Sequence, residues 1–253
     1  VFFRSVGRQG NYGVDTPIVP AMQGFIALVL LNIGYRRVGA QDDPQGWWLI
    51  GSGAIMLTIA LTYLHASRRG RFLAWSRVLG ELGLTGSERG LDLGCGRGAV
   101  TTLLAARLPQ GSVLGIDAWR SRSLLLSNRR GSEDEIARQN AAAEGVAERV
   151  EFRQGDISNL QIDGNQFDVV VSGLGISAVP TAEGRRAALE EAVRVTRPGG
   201  QLLIADIRHT RDYAESLSAL GCERVETRSM GWETWYGGPW LSTVLVTAQK
   251  AAR

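Results

Sequence analysis

Lysine is almost missing from this chain: Lys250 is the only one, so nearly all of the 28 basic residues are arginine. Against 25 acidic residues the formal net charge is only +3, and there is no basic patch with interleaved aromatics, which argues against nucleic acid as a partner. Cysteine and histidine are scarce too. Cys95 and Cys222 are too few for a disulfide framework, and neither they nor His65 and His209 fall at metal-ligand spacing. No metal is expected. A 44% apolar, 21% charged composition is that of a folded chain.

Charge is absent over two long runs, 16–35 and 44–67, of 20 and 24 residues. A bilayer core of about 30 Å needs roughly twenty mostly apolar helical residues. Trp47 and Trp48 open the second run and Tyr63 and His65 close it, as suits a membrane interface. The expectation is a transmembrane hairpin within residues 1–70, with helices at about 16–35 and 45–67. A second run directly after the first does not fit a cleaved signal peptide. The alternative is a pair of helices lying as a lid over a soluble active site. Arg4 and Arg8 precede the hairpin, and Arg68, Arg69, Arg71 and Arg77 follow it. The connector holds Arg36 and Arg37 beside Asp42 and Asp43. That bias puts both termini and the catalytic domain in the cytoplasm, as for a bacterial inner-membrane protein.

After the hairpin the pattern changes. Residues 71–88 read as a linker, helical over 72–82. Strands are expected at 89–93, 112–116, 150–154, 167–172 and 201–205. Helices at 99–108, about 132–144 and 182–196 fall between them. Ser132, with Glu135 three residues on, spells a capping box. A helix near 212–220 precedes strands at 223–228 and 241–248, which Gly231, Gly237, Gly238 and Pro239 separate. The fold class over 89–253 is therefore α/β: a seven-stranded, mostly parallel, doubly wound sheet with a terminal antiparallel hairpin.

The first strand runs into Leu91-Asp92-Leu93-Gly94-Cys95-Gly96-Arg97-Gly98. The spacing is G-x-G-x-G, not the G-x-G-x-x-G that cradles a dinucleotide pyrophosphate. Glycine serves where a side chain would strike a ligand or the turn itself. The octet resembles motif I of the class I S-adenosylmethionine-dependent methyltransferases. The resemblance extends over about residues 85–249, is nearest to small bacterial enzymes with a membrane-embedded N-terminus, and is more distant to those of quinone biosynthesis.

The resemblance implies S-adenosylmethionine as cofactor and stations for it beyond the strand ends. After the first strand come Asp92 and the glycine turn of Gly94, Gly96 and Gly98, whose free backbone N–H groups would receive the methionine carboxylate. Asp117, with Ala118 beside it, would accept from the ribose hydroxyls, and Trp119 would lie along the adenine. Asp156 would accept from the adenine amino group while Ile157 packs on the ring. Ser172, in the fourth strand, would pass the methionine portion and begin the substrate wall. His209, just past the fifth strand, is the candidate catalytic base for an acceptor that starts protonated. Asp206, Tyr213, Trp235 and Tyr236 are further candidates.

The loop after Asp117 is long. Arg120, Arg122, Arg129 and Arg130 surround Leu124-Leu125-Leu126 there, as a bilayer contact or a solvated loop. The expected activity is methyl transfer to a lipophilic small-molecule acceptor, with the bilayer as partner. A nucleotide-cofactor oxidoreductase is disfavoured by the glycine spacing and the terminal hairpin. A membrane scaffold that binds S-adenosylmethionine without catalysis is the other alternative.

Overall fold

The computed structural model describes residues 9–41, 43–119 and 132–252. It divides into two compact units. One takes Trp75–Ser229, Val244–Arg253 and the segment ending at Tyr12; the other takes Gly13–Ala74 and Met230–Thr243.

In the smaller unit, α1 (Ile18–Gln41) and α2 (Gln45–His65) form an antiparallel pair. Small residues seven apart line the seam: Ala27 and Gly34 on α1, and Gly46, Gly53 and Ala60 on α2. A Cβ on Gly34 would stand 2.7 Å from the Gly46 carbonyl oxygen, and one on Gly53 3.0 Å from that of Ala27. Backbones meet so closely only where side chains are missing, a mode of association favoured when the surroundings are themselves apolar. The outward faces are bare. Phe25, Leu28, Tyr35, Trp47, Trp48 and Ile55 are each more than half exposed. Both helices are long and apolar enough to cross a membrane, and only 17% and 22% of their apolar windows is buried. A core helix of a soluble protein would be mostly buried.

Two boundaries differ from expectation. α1 continues through Arg36 and Arg37 to Gln41, since arginine is a good helix former and Arg37 pairs with Asp43 at 3.4 Å. The second helix does not stop near 67. It widens into a π-turn at Ala66–Gly70 and goes on as α3 (Arg71–Gly80), which is where the linker helix ends. Such bulges accommodate an inserted residue. Here the bulge brings Gly70 so close to the Glu233 backbone that a Cβ would collide with its carbonyl. Beside it, Asp15 accepts from Arg71 at 2.8 Å and from Tyr236 at 3.0 Å, and its carbonyl oxygen accepts from Tyr63 at 2.8 Å.

The larger unit is the sheet. In chain order its elements are β1 (Arg89–Leu93), α4 (Ala99–Ala105), β2 (Ser112–Asp117), α5 (Glu133–Ala143), β3 (Val150–Gln154) and β4 (Phe167–Gly173). They are followed by α6 (Ala182–Val195), β5 (Thr196–Asp206), α7 (Thr210–Ala219), β6 (Cys222–Ser229) and β7 (Val244–Lys250). The strand order is β3-β2-β1-β4-β5-β7-β6. The first five are parallel, and β7 is antiparallel to both β5 and β6. The order reverses between β1 and β4, where a doubly wound sheet opens a ligand crevice.

Local details also differ. α4 stops at Ala105, where Arg107 N–H turns back to Leu104. The capping box is not formed. The Ser132 side chain makes no cap bond to the helix backbone, and its hydroxyl bonds instead to Asp134. β5 begins at Thr196, before the proline and glycines, because Thr196 already pairs with Phe167 across a bulge. The arginine-leucine loop at 120–130 lies outside the described residues.

Candidate active site

The site is assembled at the C-terminal ends of β1, β2, β4 and β5. Gly94, Gly96 and Gly98 all have left-handed backbone, with φ of 73°, 53° and 77°, which L-residues other than glycine adopt at a cost. Their surroundings separate their roles. A Cβ on Gly94 would lie 2.5 Å from Gly175 Cα, and one on Gly98 would lie 2.8 Å from the Phe152 ring. These two glycines let protein pack on protein. A Cβ on Gly96 would meet no atom of the described residues within 4 Å. Only this glycine faces open space.

Three hydrogen bonds close a ring around Gly96. Its N–H donates to Asp117 Oδ2 at 3.0 Å, Trp119 N–H donates to Asp117 Oδ1 at 2.8 Å, and the Trp119 indole N–H donates to the Gly96 carbonyl oxygen at 2.9 Å. Each Asp117 oxygen thus spends one acceptor position on backbone, and a carboxylate oxygen has a second. The residues fit an adenosyl donor on this evidence: an open glycine face, a fixed carboxylate beside it and an indole pinned to the same turn.

Most of the other residues expected at the site are engaged within the protein. The turn's N–H groups are spent inside the protein. Gly94 and Cys95 donate to the Ile116 carbonyl oxygen, at 2.8 and 3.2 Å, and Gly98 donates to that of Cys95 at 2.8 Å. With Gly96 bound to Asp117, each of the three glycine N–H groups has a partner within the protein. Asp92 is 1% exposed and accepts from Thr101 Oγ1 at 2.6 Å, so it ties β1 to α4 instead of reaching a ligand. Ser172 is fully buried and donates to the Leu93 carbonyl oxygen at 2.7 Å. It locks β4 to β1 and presents nothing to a cofactor. Ile157 joins the apolar core with Ile116 and Leu160 rather than an open ring surface. Asp156 is exposed, and its Oδ1 accepts from the backbone and hydroxyl of Ser158 at 2.9 and 2.6 Å. Ala118 is half-buried, and its carbonyl oxygen accepts from Gln154 at 3.0 Å.

Burial governs the electrostatics. Loss of solvent pushes the Asp92 carboxyl up to about 7; the Thr101 hydrogen bond opposes this and the Asp117 charge adds to it. Burial also drives the Cys95 thiol well above its ordinary range, helped by the charges of Asp92 and Asp117, so it stays a neutral small side chain. For Asp92 the raised native value means that folding favours the protonated form. Stability is fully present below about pH 4 and is lost as pH rises through about 7. Asp92→Asn should therefore lose on the order of 2–4 kcal/mol less stability between pH 4 and 8 than the natural protein does. Thermal melts across that range test this, and parallel profiles for the two proteins would remove the assignment.

At the opposite lip, Asp206 is fully buried. Its Oδ2 accepts from Ser177 N–H at 3.0 Å and its Oδ1 from Ile207 N–H at 2.8 Å; Tyr213 OH stands 3.5 Å away. Burial raises the carboxyl of Asp206 and the phenol of Tyr213. His209 is the N-cap residue of α7 with φ 60°, its ring exposed and 3.5 Å from Asp212. Trp119, Leu174 and His209 are non-glycine residues with φ of 38°, 62° and 60°, and they follow β2, β4 and β5. Such backbone costs about 1–3 kcal/mol per residue and gathers at functional edges. Sequence reasoning missed Leu174, Thr101 and Trp75. The Trp75 indole packs where a Cβ on Gly173 would fall, 3.3 Å away; the only trace of this in the sequence is the Gly173-Leu174-Gly175 triplet.

Residues 91–200 match a family model described as a methyltransferase domain. With the sheet order and the glycine turn, this identifies a methyltransferase-like domain within the larger unit. It is 33% identical over 206 residues to the arsenite methyltransferase of Aquipseudomonas alcaligenes, covering 78% of this chain and 53% of that one. It is 32% identical over 128 residues to the demethylmenaquinone methyltransferase of Lactiplantibacillus plantarum, covering 50% and 48%. The chain spans about half the length of the curated relatives it matches. Among solved structures the [4+2]-cyclase SpnF superposes with a TM-score of 0.58 at 21% identity, over 74% of this chain and 84% of that one. That likeness shows the fold alone.

Proposed function

We propose that this chain transfers a methyl group to a small lipophilic or membrane-associated acceptor, while its N-terminal hairpin spans a bilayer. The observation that carries the first half is the open face at Gly96, framed by Asp117 and Trp119. Bound S-adenosylmethionine would supply an electrophilic methyl on a sulfonium. Asp117 would take the ribose hydroxyls on its remaining lone pairs, and Asp92 with Thr101 would hold the turn in shape. In-line transfer needs little beyond positioning and exclusion of water, unless the acceptor starts as a phenol or thiol. His209 would then take the proton.

The acceptor class rests on the apolar hairpin, tethered in sequence to the catalytic domain. Both neighbours in sequence act on named substrates, arsenite and demethylmenaquinone. An arsenic centre is thiophilic and calls for converging thiolates. Cys95 lies at the C-terminal end of β1, and Cys222 begins β6 at the sheet's edge, across β7 from the N-terminal half of β5. That is four strand spacings away, about 19 Å. Two such thiols cannot share one arsenic, which favours an organic, quinone-like acceptor. The flanking arginines support a cytoplasmic catalytic domain.

Labelled-methyl transfer from S-adenosylmethionine into a total membrane extract, followed by mass identification, tests the reading. An apolar methylated product is expected; label found only in water-soluble products, or nowhere, would overturn it. His209→Asn keeps a residue that tolerates left-handed backbone and removes the ring. We expect methyl transfer to fall about 100-fold with donor affinity unchanged. A rate equal to that of the natural protein would dismiss His209 as base.

A further inference from the structure

Every large aromatic of the segment between β6 and β7 falls within one stretch, Met230–Thr243, that packs with the helical hairpin in the smaller unit. The stretch holds three of the chain's seven tryptophans and a single charged residue, Glu233. It climbs along α2. The Trp232 indole stacks on His65 at 5.2 Å and 11°, the Tyr236 ring meets Tyr63 edge-on at 5.3 Å, and Gly237 lies against Ile59. From His65 to Ile59 is six residues of helix, about 9 Å of rise. The tip of the stretch therefore stands some 9 Å further toward the middle of α2 than its base. At that tip Pro239 and Trp240 are exposed, Trp240 at 68%, while Trp232 at the base is 60% exposed.

Resting on the proposal that the hairpin spans a bilayer, we infer that Met230–Thr243 is a second membrane-inserting element, a wedge whose exposed Trp232 and Trp240 enter the lipid interface beside α2. The partner is a phospholipid bilayer. Four features support that occupant. α2, at 21 residues, measures about 31 Å, one hydrocarbon thickness. Trp47 and Trp48 mark one end of it and Trp232 the other, as the two aromatic belts of a membrane protein do. Irregular backbone enters lipid at least cost when its polar groups are satisfied internally, and the tip closes on itself through several backbone bonds. Tyr236 N–H donates to the Leu241 carbonyl oxygen at 3.0 Å, Leu241 N–H to that of Gly238 at 3.1 Å, and Trp235 pairs with Ser242. The exposed Arg68 and Arg69 stand just beyond His65, where lipid phosphates would lie.

The test uses the full chain in phosphatidylcholine–phosphatidylglycerol nanodiscs, with spin labels placed either near the lipid carbonyls or at the acyl chain ends. Tryptophan quenching is read for Trp232→Phe, Trp240→Phe, a Trp47→Phe/Trp48→Phe double variant and Trp75→Phe. Each exchange keeps an aromatic ring, and far-ultraviolet circular dichroism with donor binding confirms that the variant is folded. Loss of part of the shallow-label quenching in both Trp232→Phe and Trp240→Phe, with none in Trp75→Phe, is the expected result. Unchanged quenching in those two, with a loss in the Trp47/Trp48 variant, would overturn the wedge and leave the spanning hairpin standing. No loss in any variant would overturn both.

Discussion

Gly96→Ala is expected to give a folded protein that has lost its methyl donor. The backbone at Gly96 is left-handed with φ 53°, and alanine there costs roughly 1–2 kcal/mol, which a domain of this size can absorb. The added methyl touches no atom of the described residues within 4 Å, so none of them must move to admit it. It points where the donor would lie against the turn. We expect affinity for S-adenosylmethionine and its demethylated product to fall by about 100-fold or more, near 3 kcal/mol. Calorimetric titration with both, beside a thermal melt, reads the two effects separately. Gly94→Ala provides the contrast: its Cβ would collide with the Gly175 backbone, so folding itself should suffer. A Gly96→Ala variant that binds like the natural protein would show that the donor lies elsewhere.

Asp117→Asn should be nearly as costly, for a different reason. Both Asp117 oxygens accept backbone N–H groups, from Gly96 and Trp119. An asparagine amide can satisfy only one and must turn its NH2 toward the other, leaving a donor facing a donor. It also surrenders one of the two acceptors proposed for the ribose. Losing such charge-assisted bonds costs about 1.5–3 kcal/mol each, so donor affinity should drop on the order of 100-fold. Because the side chain binds and does not react, KM for the donor should rise far more than kcat falls. Steady-state kinetics at varied donor concentration check this. An unchanged KM would dismiss Asp117 as a donor ligand.

Much of the site was legible because its demands are local. A strand ending in alternating glycines needs left-handed backbone at each, and all three have it. Asp117 ends β2, and the bond from Trp119 N–H two residues on takes only one lone pair of its carboxylate, so free acceptor positions could be expected. Ser172 and Ile157 could not be judged that way. Both stand at strand ends in positions that suit a ligand, yet Ser172 is turned onto the Leu93 carbonyl and Ile157 into the core. Which face a side chain takes there depends on strands that pair from far along the chain. The same holds for the turn's N–H groups. Ile116, more than twenty residues on, claims two of them.

The sequence by itself determined the apolar hairpin, the alternation that builds a parallel sheet and the glycine turn, since each follows from spacing within a few residues. Tertiary structure alone decided that only one of the three glycines faces open space. It also decided that an aromatic stretch near the C-terminus packs along a helix near the N-terminus, through Tyr63–Tyr236 and His65–Trp232. The physical reason is that packing brings together residues more than 160 positions apart, and no local periodicity carries that information.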